Sequence, residues 1–164
     1  MKKKIFRIIS KIIKAIYVLK YGKKIKNCKI NSFCKFNGKE KFGKNTNFNG
    51  CKIYGNGIVS FGDNFHSASG LKIITSFHNY KGESIPYDKT IITKDVTIEE
   101  NVWVGMDVKI LGGVHIGEGS IIQAGSVVVK DIPKYSICGG NPATVFLQRD
   151  IEKYEKLKKL NRVL

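Results

Sequence analysis

The sequence predicts an all-β solenoid, a parallel β-helix wound from six-residue rungs, with a helix at each end. Three observations carry this reading. Counting in sixes from Ile92 meets Ile98, Val104, Ile110, Ile116, Ile122 and Val128, an unbroken column of β-branched aliphatics. Four residues after each lies a second column, Val96, Val102, Val108, Val114, Ser120, Ser126 and Ile132, small or branched throughout. Gly105, Gly117 and Gly125 fall near the expected corners. An α-helix of 3.6 residues per turn cannot hold a period of six on one face, and a plain strand of period two does not explain the turns. Short strands joined by corners do, each rung placing one bulky aliphatic inside and a small residue at the bend.

The elements follow in order. Residues 1–24 read as a basic amphipathic helix, with Ile5, Ile8, Ile9, Ile12, Ile16 and Leu19 on one face and lysines on the other. Residues 25–148 form the β-helix. Its upstream half is a weaker copy of the ladder, with Ile30, Phe36, Phe42, Phe48 and Tyr54 six apart. The segment "YGNGIVS" then adds one residue, and the phase resumes at Phe61, Ser67 and Ile73. Between Ile73 and Ile92 the count is out of phase. There the stretch 79–90 predicts a loop that leaves a corner without disturbing the stacked coils, and His78 ends the rung before it. The turn chemistry of "GGNPATV" stops the last rung. Residues 149–164 form a short C-terminal helix, capped by Asp150 and striped by Ile151, Tyr154, Leu157 and Leu160.

The net charge of +16 is unevenly placed. Residues 1–39 hold thirteen Lys/Arg and no acid, whereas residues 40–164 hold sixteen basic and thirteen acidic residues. The basicity therefore belongs to the N-terminal segment. One reading of that segment is a helix lying on the anionic inner face of the cell membrane through residues 1–20; the other is a helix packed on the β-helix or on a neighbouring subunit. Nucleic acid is disfavoured, because an apolar stripe interrupts the basic residues and no base-stacking platform is evident. "IFRIISKIIKAIYVL" is too short and too charged to span a bilayer. Cys28, Cys34, Cys51 and Cys138 form no C-x-x-C pair. They read as reduced thiols of a cytoplasmic protein, with no metal expected.

The segments "NVWVG", "GVHIGEGSIIQAGSVVVKDIP" and "GGNPATV" closely resemble the bacterial hexapeptide-repeat O-acetyltransferases, over roughly residues 61–149. "HNYKGESIPYD" resembles most the branch that acetylates capsule, colanic acid and O-antigen sugars; the maltose and galactoside acetyltransferases are related. The resemblance implies a left-handed β-helix, a homotrimer with active sites between subunits, acetyl-CoA as donor and a sugar hydroxyl as acceptor. Carried over position by position, Trp103, Met106, Ala124, Val129 and Lys130 stand where the family contacts coenzyme A. Thr144 and Leu147 replace basic residues that often follow "NPA", which leaves Arg149 and Lys134 as candidates for the nucleotide. Asn47 and Asn49 are the candidates for the family's acceptor-binding asparagine.

An alcohol attacks a thioester only if a base takes its proton during the attack, and histidine suits that role near neutrality. Of His66, His78 and His115, only His78 opens the irregular loop, and it matches the family's catalytic histidine. Asp88 or Glu83 could orient it or meet the substrate. The expected reaction is therefore acetyl transfer to a sugar hydroxyl in surface-polysaccharide synthesis. The alternatives are acetylation of an amino sugar, or a non-catalytic β-helix serving as a scaffold or binding module. A zinc hydratase would need three converging histidines, and the spacings of 12 and 37 argue against one.

Overall fold

The computed structural model describes residues 2–163, and all of their side chains except those of residues 2–8, 10, 23 and 24. The chain is a three-sided parallel β-helix of about six turns, the architecture of the left-handed hexapeptide solenoid, with a helix at each end. Each of the first four coils places one short strand on each of three sheets. The first sheet stacks β1 (Lys29–Ile30), β4 (Asn47–Phe48), β7 (His66–Ser67), β12 (Trp103–Val104), β15 (Ile121–Ile122) and β17 (Ser136–Gly140). The second stacks β2 (Cys34–Lys35), β5 (Cys51–Tyr54), β8 (Leu71–Ile74), β13 (Lys109–Leu111) and β16 (Val127–Val128). The third stacks β3 (Glu40–Phe42), β6 (Val59–Phe61), β11 (Val96–Ile98) and β14 (His115–Ile116).

The predicted columns are the core. Ile98, Val104, Ile110, Ile116, Ile122 and Val128 are buried, and so is every member of the second column from Val96 to Ile132. Burying one such side chain contributes roughly 1.5–3 kcal/mol, so the columns account for much of the driving force. Two positions depart from the expected count. Ile92 lies off the ladder, in a strand of an excursion described below. Tyr54 is 40% exposed, and Ile53 takes the inward place at 2%. The tight corner at Asn49–Gly50 brings Cys51 inward three residues after Phe48 where the regular step is four, so the phase breaks before the segment that predicted it.

The upstream coils are filled by rings. Phe48 lies edge-on to Phe36, Phe42 and Phe61, with centroids 5.5, 5.7 and 5.0 Å away. One corner of the prism is made by asparagines in the left-handed region, Asn45, Asn64 and Asn101. Their amides form a ladder, Asn45 donating to Asn64 at 3.1 Å and Asn64 to Asn101 at 3.0 Å. Asn tolerates positive φ better than most side chains and ties successive corners together.

Both ends of the solenoid are closed. Helix α1 (Lys2–Tyr21) lies across the first coil, with Tyr17 buried and Ile13, Val18 and Tyr21 packed against the core. The Tyr17 hydroxyl accepts from the Cys34 N–H at 2.7 Å and donates to the Cys34 carbonyl. Cys34 is on the edge strand of its sheet, so this one hydroxyl satisfies backbone groups that have no further coil to pair with. The helix thus packs through a face other than the predicted stripe: Ile9, Ile12, Ile16 and Leu19 are exposed. The side chains of Ile5 and Ile8 are outside those described. At the other end β18 (Ala143–Gln148) turns back antiparallel on β17. Helix α2 (Ile151–Lys159) follows, its N-cap Asp150 accepting from the Lys153 N–H at 2.9 Å. Lys158 ties it to two corners, bonding Glu100 and Glu118 at 2.7 and 2.5 Å.

Candidate active site

The excursion leaves the third coil where β8 ends. It is a hairpin of β9 (Ser76–His78) and β10 (Ile91–Thr93), antiparallel, with His78 opposite Ile91. The rung therefore ends at Ile74, and His78 stands at the far end of an arm instead of closing a rung. An Asn79 N–H to Thr90 carbonyl bond of 3.1 Å shuts the loop 79–90 above it. The imidazole is exposed and stacks on the Tyr87 ring, centroids 4.0 Å apart and planes 14° off parallel. Flat stacking fixes the ring plane and leaves the ring nitrogens at its edge for other partners. Tyr87 was not among the expected site residues; the only signal was its place in "IPYDK".

Asp88 does not orient His78. Its carboxylate accepts from the Thr90 N–H at 2.8 Å and from the Thr90 hydroxyl. Those hydrogen bonds hold its pKa below the ordinary carboxylate value. The loop crosses itself here, since a Cβ on Gly82 would lie 1.9 Å from Asp88 Oδ2. Asp88 therefore shapes the loop that carries Tyr87.

The remaining candidates fall on other edges of the prism. Asn47 and Asn49 both accept from the Asn31 side chain at 2.9 Å. Asn49 also donates to the Ser67 carbonyl at 2.8 Å and lies 3.4 Å from His66 Nε2. Burial, and then the Lys29 charge, push the His66 pKa below its ordinary value, which favours the neutral imidazole. Trp103, 53% exposed, sits between His66 and Ile121 on the first sheet. These side chains line a groove of about 740 Å³ between that sheet and α2, together with Asn47 and Arg149. The Arg149 guanidinium bonds the Gly119 carbonyl at 3.0 Å and lies 4.9 Å from the Tyr154 ring centroid.

Met106 and Ala124 are exposed on successive turns of the corner that follows the first sheet. The Met106 carbonyl accepts from the Gly125 N–H at 2.7 Å. Gly105 lets these turns touch, since a Cβ there would come 2.5 Å from the Ala124 nitrogen. Val129 and Lys130 are exposed at the next corner, on the fifth coil. Within one chain, then, the coenzyme A candidates and His78 do not converge on one pocket. The three histidines also stand apart, His66 on the first sheet, His115 on the third and paired to Glu99 at 2.8 Å, and His78 on the hairpin.

Residues 95–130 match the family model described as bacterial transferase hexapeptide (six repeats). Within those residues the chain carries that hexapeptide repeat. A Schizosaccharomyces pombe protein named "Putative acetyltransferase" is 37% identical over 106 residues, 62% of this chain and 49% of its own. The chain thus spans about half the length of the curated relatives it matches. A maltose O-acetyltransferase from Clostridium difficile 630 is 31% identical, with a TM-score of 0.59 over 74% of this chain and 64% of its own. A hexapeptide-repeat acetyltransferase of Vibrio cholerae, crystallised with acetyl coenzyme A, shares the fold at a TM-score of 0.66. It is 23% identical, over 88% of this chain and 87% of its own.

Proposed function

We propose that the protein is an acetyltransferase that moves the acetyl group of acetyl-CoA to a sugar hydroxyl, in the building of a surface polysaccharide. The observation that carries the reading is the presentation of His78: an exposed imidazole at the end of a hairpin arm on a hexapeptide β-helix, its plane held by Tyr87. The maltose O-acetyltransferase relative supports the substrate class. His78 takes the proton of the hydroxyl as the oxygen bonds the acetyl carbon. The C–S bond then breaks, and the leaving thiolate takes the proton back from the imidazolium.

The separation of the candidates within one chain supports a homotrimer with sites between neighbours. Exposed Tyr80 and Ile85 on the hairpin loop give that contact apolar surface. Coenzyme A would lie along the corner turns of Met106 and Ala124, with Trp103 walling the thiol end and Val129, Lys130 and Arg149 nearer the nucleotide. His78→Ala should lower kcat by about a hundredfold or more while leaving acetyl-CoA binding intact. Acetyl-CoA turnover with a panel of sugars and glycans measures it, and full activity in the variant would remove His78 from the mechanism.

The stripe Ile9, Ile12, Ile16 and Leu19 supports a second contact, with an anionic membrane surface, because the packed face of α1 leaves it open beside a segment rich in lysine. No helix among the described residues is long and apolar enough to cross a membrane. Ile12→Ser/Ile16→Ser should abolish sedimentation with vesicles containing phosphatidylglycerol; unchanged sedimentation would exclude the contact.

A further inference from the structure

The outer face of the second sheet carries a column of lysines in register. Lys35 pairs with Lys52, Lys52 with Lys72, and Lys72 with Lys109, on four consecutive coils. Rungs of a sheet are about 4.8 Å apart, so four ammonium groups rise from adjacent positions along one line. Like charges directly opposite one another destabilise a sheet. None of the ion pairs among the described residues includes a member of this column. An arrangement that opposes folding and has no internal counter-charge points to an anionic ligand.

A second copy of the chain does not supply one. The outward column of the first sheet is Lys29, Asn47, His66, Trp103 and Ile121. That of the third is Lys41, Ser60, Thr97 and His115. Neither column holds an acid, and Glu99, next to the third sheet's column, is already paired to His115 at 2.8 Å, so packing either column of a neighbour on the lysines leaves them uncompensated.

The column also lies beside the arm that presents His78. Strand β8 carries Lys72 and Ile74, and β9 begins two residues after Ile74. Between the lysines and that corner runs a second outward column, Tyr54, Ile74 and Leu111, an apolar strip on which the carbon face of a sugar ring can lie. We propose that this face binds the acceptor, and that the acceptor is an acidic glycan, a sugar chain bearing carboxylate or phosphate groups. The proposal rests on the acetyl-transfer reading above and names its substrate class.

The test is fluorescence anisotropy of the full chain with three labelled probes: oligogalacturonate, a glycerol-phosphate oligomer and uncharged maltoheptaose. At least one acidic probe should bind more tightly than maltoheptaose. Lys52→Gln/Lys72→Gln should weaken it about tenfold, whereas Lys11→Gln/Lys20→Gln, an equal loss of charge on α1, should change it less than about twofold. Lys52→Arg/Lys72→Arg should restore binding, and circular dichroism should show both Gln variants folded, with the ladder variant melting no lower than the parent. Equal weakening by both Gln variants, or no preference for either acidic probe, overturns the proposal. So does a rise in the KM for acetyl-CoA with acidic-probe binding unchanged, which would assign the lysines to the phosphates of the donor. The two readings fail separately. Tight acidic binding that depends on Lys52 and Lys72, in a protein that transfers no acetyl group, would remove the enzyme and keep the glycan site.

Discussion

The downstream coils are filled by β-branched aliphatics in strict sixes, the upstream coils by aromatic rings and thiols. Both halves wind the same prism, but they spread their packing differently. Downstream, each rung adds one Ile or Val of nearly constant volume, so each coil is close to interchangeable with the next. Upstream, Phe48 alone meets Phe36, Phe42, Phe61 and Phe65. The difference shows that the solenoid needs filled volume on a period, and that large rings make the register depend on a few positions.

The largest effect should separate the halves most clearly. Phe48→Ala should cost about 3–5 kcal/mol, because it removes the centre of the ring cluster, while Ile110→Val should cost only about 1 kcal/mol. Urea unfolding of the two variants measures this, and similar costs would mean that the aromatic half is as interchangeable as the aliphatic one.

The thiols sharpen the same contrast through pH. Burial pushes the Cys34 pKa from its ordinary 9.0 up to about 12, and burial raises Cys28 and Cys51 as well. A raised pKa means that the folded state keeps a proton which the unfolded chain releases. This contribution to stability is complete below about pH 9 and is lost as pH rises from there toward 12. Cys34→Val should therefore flatten the fall in melting temperature between pH 9 and pH 10.5. In the parent, a thiol reagent at pH 7.5 should modify none of the four cysteines until the chain is denatured, since all four are buried.

The smallest effect sits at the seam. Ser67 stacks in register above Phe48 and below Val104, and its hydroxyl has no hydrogen-bond partner among the described residues. Ser67→Ala removes an unsatisfied buried oxygen and should stabilise the protein by about 1 kcal/mol. A loss of stability on calorimetry would show that the hydroxyl is satisfied after all.

Much of the fold was legible because its signal is local. A β-branched residue every six positions needs no tertiary information to be seen, and the cap at Asp150 is short-range chemistry. Where the rungs become irregular, the reading slipped. Ile92 continued the count numerically yet pairs with Phe77 in the hairpin. Tyr54 lay in phase but points outward. The site was legible only as separate pieces. His78 was singled out by the broken period, but Tyr87 lies nine residues on and meets it only when the loop folds back. Asn31, which bonds both Asn47 and Asn49, gave no sign of its own.

By itself the sequence determined the six-residue rungs, the filled interior and that the chain leaves the coil somewhere between Ile73 and Ile92, since each follows from the order of apolar and small residues along the backbone. The tertiary structure alone decided which outward residues share a face. Lys35, Lys52, Lys72 and Lys109 recur at unequal intervals, because a tight corner shortens the first coil between them while inserted residues and then a hairpin lengthen the next two. Register is set by backbone pairing between coils, so residues far apart along the chain align on the outside although no period marks them. The same pairing set the α1 stripe free, because Tyr17 and not the isoleucines met the unpaired edge at Cys34.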